Sequence, residues 1–488
     1  MSESIPYRFE PTHHAGELHE AHDDIEAGTE TDTVVTVAGR LMLRRVQGKL
    51  AFGTMQDQTG RIQLFAPVST TPRFSEFTSL TIGDWVGVTG VVMKTRKGEL
   101  SIRVDEWVLL AHSERQFPDK WHGMTDPEAR YRQRYVDLWV SDGARSAFLL
   151  RSRALSLIRR WLEDRQFIEV ETPLLNVIPG GGHARPFVTH HNALDTDLYL
   201  RIAPELFLKR LVVGGFERVF EMGRTFRNEG IDRVHNPEFT MLELYQAYGD
   251  VNDMMAITEE LIGYLATELR GTTKLTWQGQ EVDLTPPWRR ASMADLIEER
   301  IGVRIDVRMP IDDVRHIAFD QGVKVEQGWG QGKLMLEIYE KTTESSLQGP
   351  VFVTDYPKEV SPLARDHREL PDMVERFEVI VGGREIANAF SELTDPKEQK
   401  ARFDGQLRAR AAGDDEAMPV DDDYVRALEY GLPPTGGLGI GIDRLVMMLA
   451  DVASIRDIVL FPTLRPESAG RAPSGTHADG DDEADDEA

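Results

Sequence analysis

Five short runs rich in Val, Ile, Leu and Phe lie between residues 34 and 111: VVTVAGRLML, LAFGTMQD, GRIQLF, DWVGVTGVVM and GELSIRVDEWVLL. The turn signals QGK, QTG, IGD and RKG divide them, so each run reads as a strand. Five such strands in about eighty residues suit a small closed barrel of the OB type. On pattern alone a generic β-barrel without a ligand stays open. From residue 146 the apolar period changes. Phe148, Leu150, Ala154, Leu155, Ile158, Trp161 and Leu162 recur at helical spacing, and FIEVETPLL then reads as a strand ending at Pro173. The 488 residues are too many for one ordinary domain.

These patterns give an α+β chain in parts. An acidic extension occupies residues 1–30, the barrel 31–112, a polar linker 113–145 and a larger domain 146–466, with a helical insertion around 250–370. The stretch 467–488 is disordered by composition.

The formal net charge is −26, which taken alone argues against a nucleic-acid binder. Its distribution argues otherwise. Residues 1–33 carry one Arg against nine acids, and residues 466–488 one Arg against eight. Residues 34–111 carry ten Lys/Arg against six acids. A basic module inside an acidic chain points to a local polyanion-binding surface. The absence of Cys excludes disulfide scaffolds, thiolate zinc sites and thiol nucleophiles, and fits a cytoplasmic location. No run of eighteen apolar residues exists, so no membrane partner is expected, and the N-terminus does not read as a secretory signal.

Three segments carry chemistry. The first is Glu217–Tyr248, read as strand, loop, strand. Alternation puts Phe239, Glu243 and Tyr245 on one face: an aromatic wall for a flat base and a carboxylate for a cation, or else a solvated edge strand. The loop holds Arg227, Glu229, Arg233 and His235, and Arg is the natural fork for phosphate or carboxylate. The second is Phe377–Leu393, where Asn388, Phe390 and Glu392 share a face. Glu378 and Glu385 are candidate Mg²⁺ carboxylates. Strict alternation keeps Glu385 off the face of Asn388, so a bulge or separate roles must be assumed. The third is GGLGIGIDRLVMMLAD at 436–451, with Asp443 as a plausible N-cap and Arg444 in the first helical turn. It is neither a dinucleotide fingerprint nor a P-loop.

The helix and strand ending at Pro173, FRNE with its returning strand, and GLGIGIDR resemble, in this order, the first, second and third signature motifs of the class II aminoacyl-tRNA synthetases, the first of them dimer-forming. TPLLNVIPGGGHARPFVTHHNAL, APELFLKRLVVGGFERVFE and HNPEFTMLELYQAY resemble the lysine enzymes of that class. The resemblance covers about residues 31–467. It implies an antiparallel catalytic sheet flanked by helices, an anticodon-binding barrel and a homodimer. It also implies ATP as substrate, Mg²⁺ as cofactor, and lysine and tRNA(Lys) as partners. By resemblance Arg227 and Arg444 are catalytic and bind ATP together with Glu229, His235, Asn236, Phe239, Glu378 and Glu385. Glu378 and Glu385 hold the metal. Gly181, Glu205, Glu243, Tyr245, Asn388, Phe390 and Glu392 form the lysine pocket, and Arg45, Phe52, Gln63 and Glu99 read the anticodon. Ala387 and Ala389 stand where the family usually has Gly, and their methyls are expected to border the pocket.

The residues support lysine independently. Buried carboxylates without a cation are costly, and an ε-ammonium would relieve Glu205, Glu243 and Glu392. Aspartate would be repelled there. The competing readings are an aspartate or asparagine enzyme of the same subclass, a catalytically silent tRNA-binding paralogue, and an enzyme that transfers lysine to a protein or lipid.

Overall fold

The computed structural model describes residues 5–115, 117, 124–326, 328–411 and 417–466. The stretch read as a disordered acidic tail, 467–488, lies outside them. Two compact units divide the chain, residues 1–141 and 142–488.

The first unit is built on a closed barrel of β1 (Glu30–Gln47), β2 (Leu50–Gln56), β3 (Arg61–Pro67), β4 (Trp85–Lys94) and β5 (Leu100–Ala111). The order around the barrel is β1-β2-β3-β5-β4, closed by β4 on β1. Period-two alternation fills the interior with Val35, Val37, Met55, Leu64, Val88, Ile102 and Val104. Part of the acidic N-terminal stretch is folded onto the barrel. Its helix Ala15–His22 buries Ala15 and Leu18, and the Ala15 amide donates to Asp57 Oδ2 at 2.7 Å. The interval read as a linker contains two short helices, Pro127–Arg132 and Arg134–Val140.

In the second unit β6 (Ile168–Glu169) is only two residues long, shorter than the strand expected there. Pro173, which has no N–H to give a ladder, follows four residues later. β7 (Leu175–Asn176), β8 (Val188–His191) and β9 (Thr196–Leu200) form a small separate sheet. β10 (Arg218–Phe226) and β11 (Glu238–Ala247) come next, followed by a hairpin of β12 (Lys274–Trp277) and β13 (Gln280–Asp283). The remaining strands are β14 (Arg289–Ser292), β15 (Val351–Pro357), β16 (Met373–Val381), β17 (Arg384–Ser391) and β18 (Thr435–Gly441). The central sheet has eight strands in the order β14-β15-β16-β17-β18-β11-β10-β6. It is antiparallel except for its two outermost pairs, β14 with β15 and β6 with β10.

The interval expected as a helical insertion is therefore mixed. Helices Met293–Ile301, Ile311–Asp320 and Gln331–Thr342 lie between β14 and β15, which belong to the central sheet. One face of that sheet is dry. Helices Asp142–Glu163, Val251–Arg270 and Ile442–Ala450 cover it through Ile158, Trp161, Met254, Leu261, Leu445 and Met448, packed on Phe220, Leu242, Leu244 and Ile440. The helix Val251–Arg270 starts on an Asp250 capping box and stops at Gly271, whose φ is 73°.

Candidate active site

Alternation along β11 turns Phe239, Met241, Glu243 and Tyr245 into a cavity of about 360 Å³, an ordinary size for a small-molecule site. Leu242 and Leu244 go to the core. The neighbouring strands add Asn388 and Phe390 from β17 and Gly437 and Gly439 from β18. The register sets Glu243, Gly439 and Asn388 side by side. A Cβ at Gly437 would stand 2.0 Å from Glu392 Oε1, so only glycine fits beneath that carboxylate. Gly181 needs its glycine too, with φ +84° and the Glu205 Cβ 3.0 Å from where its own would be.

One end of the cavity gathers carboxylates. Glu205 begins the helix Glu205–Val213 and Glu243 lies on β11, and both line the cavity. Glu392 follows β17 and stands behind the wall beside Gly437, outside the lining; all three are buried. A residue that sequence reasoning missed stands behind them. Lys209, one turn along from Glu205 and 0% exposed, donates to Glu205 Oε1 at 2.5 Å and pairs also with Glu392. The rings of Phe390, Tyr245 and Tyr424 surround its ammonium at 5.2, 5.9 and 6.0 Å. Burial works against its charge, but Glu205 and Glu392 hold its pKa above the ordinary lysine value. The expectation that a bound ammonium alone must relieve all three carboxylates is thus corrected: an internal one already serves two of them. Glu243 accepts from the Tyr245 hydroxyl at 3.2 Å. Burial pushes Glu243 up to about 8, and the charge of Glu205 adds to the push. Burial also carries Glu392 well above the carboxylate range, against the pull of Lys209.

The other end is cationic. Arg227 directly follows β10, and its amide donates to Pro237 O at 2.9 Å, pinning the two ends of the loop together. Its guanidinium carbon sits 5.1 Å from the Phe239 ring centroid, with Nε buried and unpartnered. Glu229 and His235 are exposed on the same loop and line the cavity. His235 meets Asp232 Oδ2 through Nδ1 at 2.7 Å and Arg444 Nη2 through Nε2 at 3.2 Å. Arginine only donates, so Nε2 accepts and the proton lies on Nδ1, toward Asp232. Arg444 Nη1 donates in turn to the Glu385 carbonyl at 2.9 Å and to its Oε2 at 3.2 Å. Asp232 was not a sequence candidate. Burial opposes its charge, but the His235 ring and the Val234 and His235 amides hold its pKa below the usual value. Asn236 donates to Glu238 O at 2.6 Å, leaving its Oδ1 buried and unpartnered.

The bulge that alternation demanded is present. Glu378 pairs with Asn388 and Val379 with Ala387, but Ile380 pairs with Glu385, so Ile386 is passed over. Both Glu378 and Glu385 line the cavity. Arg376, also missed in the sequence, donates to Glu378 Oε1 at 2.5 Å, Asn388 Oδ1 at 3.0 Å and Ser361 Oγ at 2.9 Å. Burial pushes Glu378 up to about 7; Arg376 opposes this and Glu385 reinforces it.

Two expectations change. Gly441, not Asp443, is the cap of the helix Ile442–Ala450. The Asp443 carboxylate instead accepts from Arg151 Nη1 at 2.5 Å and from the Thr240 amide at 2.7 Å, tying that helix to β11 and to helix Asp142–Glu163. The methyls of Ala387 and Ala389 do not border the pocket. Both are buried in the core on the opposite face of β17, because the residues between and beyond them, Asn388 and Phe390, take the cavity side.

On the barrel, Phe52 alternates with the buried Ala51 and is only half-buried, so it is not a core residue. β1 pairs Arg45 with Phe52, and β2 pairs Phe52 with Phe65 and Thr54 with Gln63. The Arg45 guanidinium lies 5.1 Å from the Phe52 ring, and Phe65 meets that ring edge-on at 5.6 Å. Gln63 accepts from Ser101 Oγ at 3.0 Å, and Glu99 is exposed in the β4–β5 turn. Arg45, Phe52 and Gln63 thus share the outer surface of three adjacent strands.

Two family models match the chain: tRNA synthetases class II (D, K and N) over residues 126–465, and OB-fold nucleic acid binding domain over residues 35–110. It is 53% identical to a lysine–tRNA ligase of Synechococcus sp. (strain RCC307) over 469 residues, covering 95% of this chain and 93% of that one. It is 52% identical to a lysine–tRNA ligase of Prochlorococcus marinus (strain MIT 9313), covering 95% and 94%. Against a lysine–tRNA ligase of Trichormus variabilis (strain ATCC 29413 / PCC 7937) identity is again 52%, covering 95% and 84%.

Proposed function

This chain belongs to the class II tRNA synthetases of the aspartate, lysine and asparagine group, and from that membership we propose that it joins lysine to tRNA(Lys) at the cost of ATP. The observation that carries lysine is the pair of buried carboxylates Glu205 and Glu243 on the cavity wall with Tyr245 and Phe390, and Glu392 buried close behind. Aspartate would meet like charge there. Asparagine would leave the carboxylates unmatched.

The reaction has two steps. The lysine carboxylate attacks the α-phosphate of ATP, giving lysyl-adenylate and releasing pyrophosphate. A terminal ribose hydroxyl of the tRNA then attacks the adenylate carbonyl, and AMP leaves. Arg227 holds the α-phosphate, where the unpartnered Nε and the fork beside it are free to donate. Phe239 stacks on adenine, and Glu229, His235, Asn236 and Arg444 hold the rest of the nucleotide. The chain Asp232–His235–Arg444–Glu385 keeps Arg444 aimed. Positioning and charge neutralisation supply the catalysis, with no protein nucleophile.

Glu378 and Glu385 suit Mg²⁺. They offer hard oxygens at the polyphosphate end, and burial together with the neighbouring Glu385 pushes Glu378 up to about 7. Among the described residues no group of three or more His, Cys, Asp or Glu could hold a metal. Glu378 and Glu385 would hold the ion, which would neutralise the phosphates when bound.

Pyrophosphate exchange with ATP across all twenty amino acids tests the reading. Lysine alone should drive it, with Mg²⁺ required; exchange driven best by aspartate or asparagine would sink it.

The barrel reads the anticodon through Phe52, Gln63, Glu99 and Arg45. Phe52→Ala should raise the KM for tRNA about tenfold to a hundredfold, since base stacking is worth roughly 1–3 kcal/mol. An unchanged KM for tRNA defeats that assignment. Ile168, Leu174, Leu175, Val177 and Val188 are exposed apolar side chains on and beside the first motif. They support a two-fold homodimer, which sedimentation at micromolar concentration would check. Among the described residues no helix is long and apolar enough to cross a membrane. A cytoplasmic location completes the proposal.

A further inference from the structure

The lysine pocket holds three buried carboxylates and one buried ammonium. Glu205, Glu243 and Glu392 are each under a tenth exposed, and Lys209 is fully covered. Glu205 and Glu243 line the cavity, whereas Glu392 and Lys209 stand behind its wall, and Lys209 pairs with both Glu205 and Glu392. Three negative charges less one positive leave two. Free lysine brings two ammonium groups, α and ε, and one carboxylate, for which Arg227 is the partner proposed above. The count matches only because Lys209 is present.

We infer that Lys209 is a positioning residue that sets the charge of the amino-acid pocket, cancelling one carboxylate so that the remaining two meet the two ammonium groups of the substrate. The inference rests on the lysine reading of this site and deepens it. A packing role alone does not account for the arrangement. A methionine would fill the same volume among Tyr245, Phe390 and Tyr424 without placing an ion in a dry interior. The helix also puts Glu205 and Lys209 four residues apart, a spacing that sets them on one face of it.

Every neighbouring charge bears on the same count. Arg201, 2% exposed and paired with Glu221, lowers the pKa of Glu243 from a distance. Tyr245 donates to Glu243. Tyr424 faces Lys209 from helix Asp422–Glu429, while Arg210 beside it is paired with Asp421 and Asp423. None of these adds an uncompensated cation at Glu205 or Glu392. With the pocket empty, burial favours protons on Glu243 and Glu392, and the arriving ammonium groups displace them. Without Lys209 there would be three carboxylates for two ammonium groups. One carboxyl would stay protonated in the complex, and Glu205 and Glu392 would lose the cation that pairs with them.

Lys209→Met is therefore expected to raise the lysine KM in pyrophosphate exchange tenfold or more at neutral pH, with kcat at saturating lysine falling far less. Its KM–pH profile should move to alkaline pH. The infrared spectrum of its lysine complex should show a protonated carboxyl absent from the parent complex. The charge-balanced double variant Glu205→Gln/Lys209→Met restores the match and should recover a lower lysine KM than the single variant. It keeps the test open if the single variant folds poorly, because removing both partners of a buried pair costs less than removing one. A double variant no better than a folded single one, or a Lys209→Met enzyme with unchanged KM and pH profile, would overturn the inference. If the double variant is the only one that folds, a lysine KM tenfold or more above the parent overturns it as well. Absence of lysine-dependent exchange in the parent protein would instead overturn the functional reading on which it stands.

Discussion

Arg227→Ala should slow adenylate formation about a hundredfold or more, the scale of losing one donor to a developing charge. The expectation comes from how the side chain is held. Its backbone is pinned to Pro237 O, its guanidinium is seated by the Phe239 ring, and its Nε is buried without a partner. A donor desolvated in this way costs free energy until an anion arrives. The loss should fall on the chemical step more than on lysine affinity. Single-turnover formation of lysyl-adenylate is the measurement, and a normal rate in the variant would remove Arg227 from the proposed mechanism.

The second large effect should come from Glu243→Gln, in two directions at once. Removing one charge partner from a dry site costs roughly 2–5 kcal/mol, so the lysine KM should rise about 30-fold or more. The empty protein should gain stability. Glu243 has its pKa raised from 4.5 to about 8 in the folded state, chiefly by burial. The folded chain therefore holds that proton more tightly than the unfolded chain. The stabilisation is complete below pH 4.5 and is lost as pH rises through about 8. Glutamine never ionises and escapes the loss. Melting temperatures of the ligand-free proteins should diverge in favour of the variant between pH 6 and pH 8.5. An equal pH dependence in both would show that Glu243 is not the buried acid described here.

Much of this was readable along the chain because period two is unforgiving. Once residues 238–247 are a strand, Phe239, Glu243 and Tyr245 must share a face. The misfit of Glu385 with Asn388 demanded a bulge, and β17 contains one at Ile386. The barrel was legible for the same reason. What escaped depended on which face of a helix meets which wall. ELFLKRLVV announces a helix, but its sequence does not say that Lys209 turns inward while Arg210 turns to Asp421. Arg376 and Asp232 likewise gain meaning only from partners brought close by the fold. Asp443 was misread because a carboxylate beside a helix start suits a cap by local rules, whereas here the long-range partners Arg151 and Thr240 claim it. The short helix Ala15–His22 had too few apolar residues to stand out from an acidic stretch.

The glycine at 437 has a consequence for how such enzymes could diverge. It belongs to the motif whose Arg444 is given to the nucleotide, yet the atom nearest its missing side chain is Oε1 of Glu392, in the amino-acid pocket. Any larger residue there displaces the carboxylate that pairs with Lys209. β18 is therefore shared property: drift that recasts the amino-acid specificity must pass through a strand that nucleotide binding also constrains. A lineage exchanging lysine for another amino acid would have to alter the floor of the pocket and its acidic wall together. Directed libraries that vary Glu205, Glu243 and Glu392 while leaving Gly437 fixed should rarely reach a new specificity.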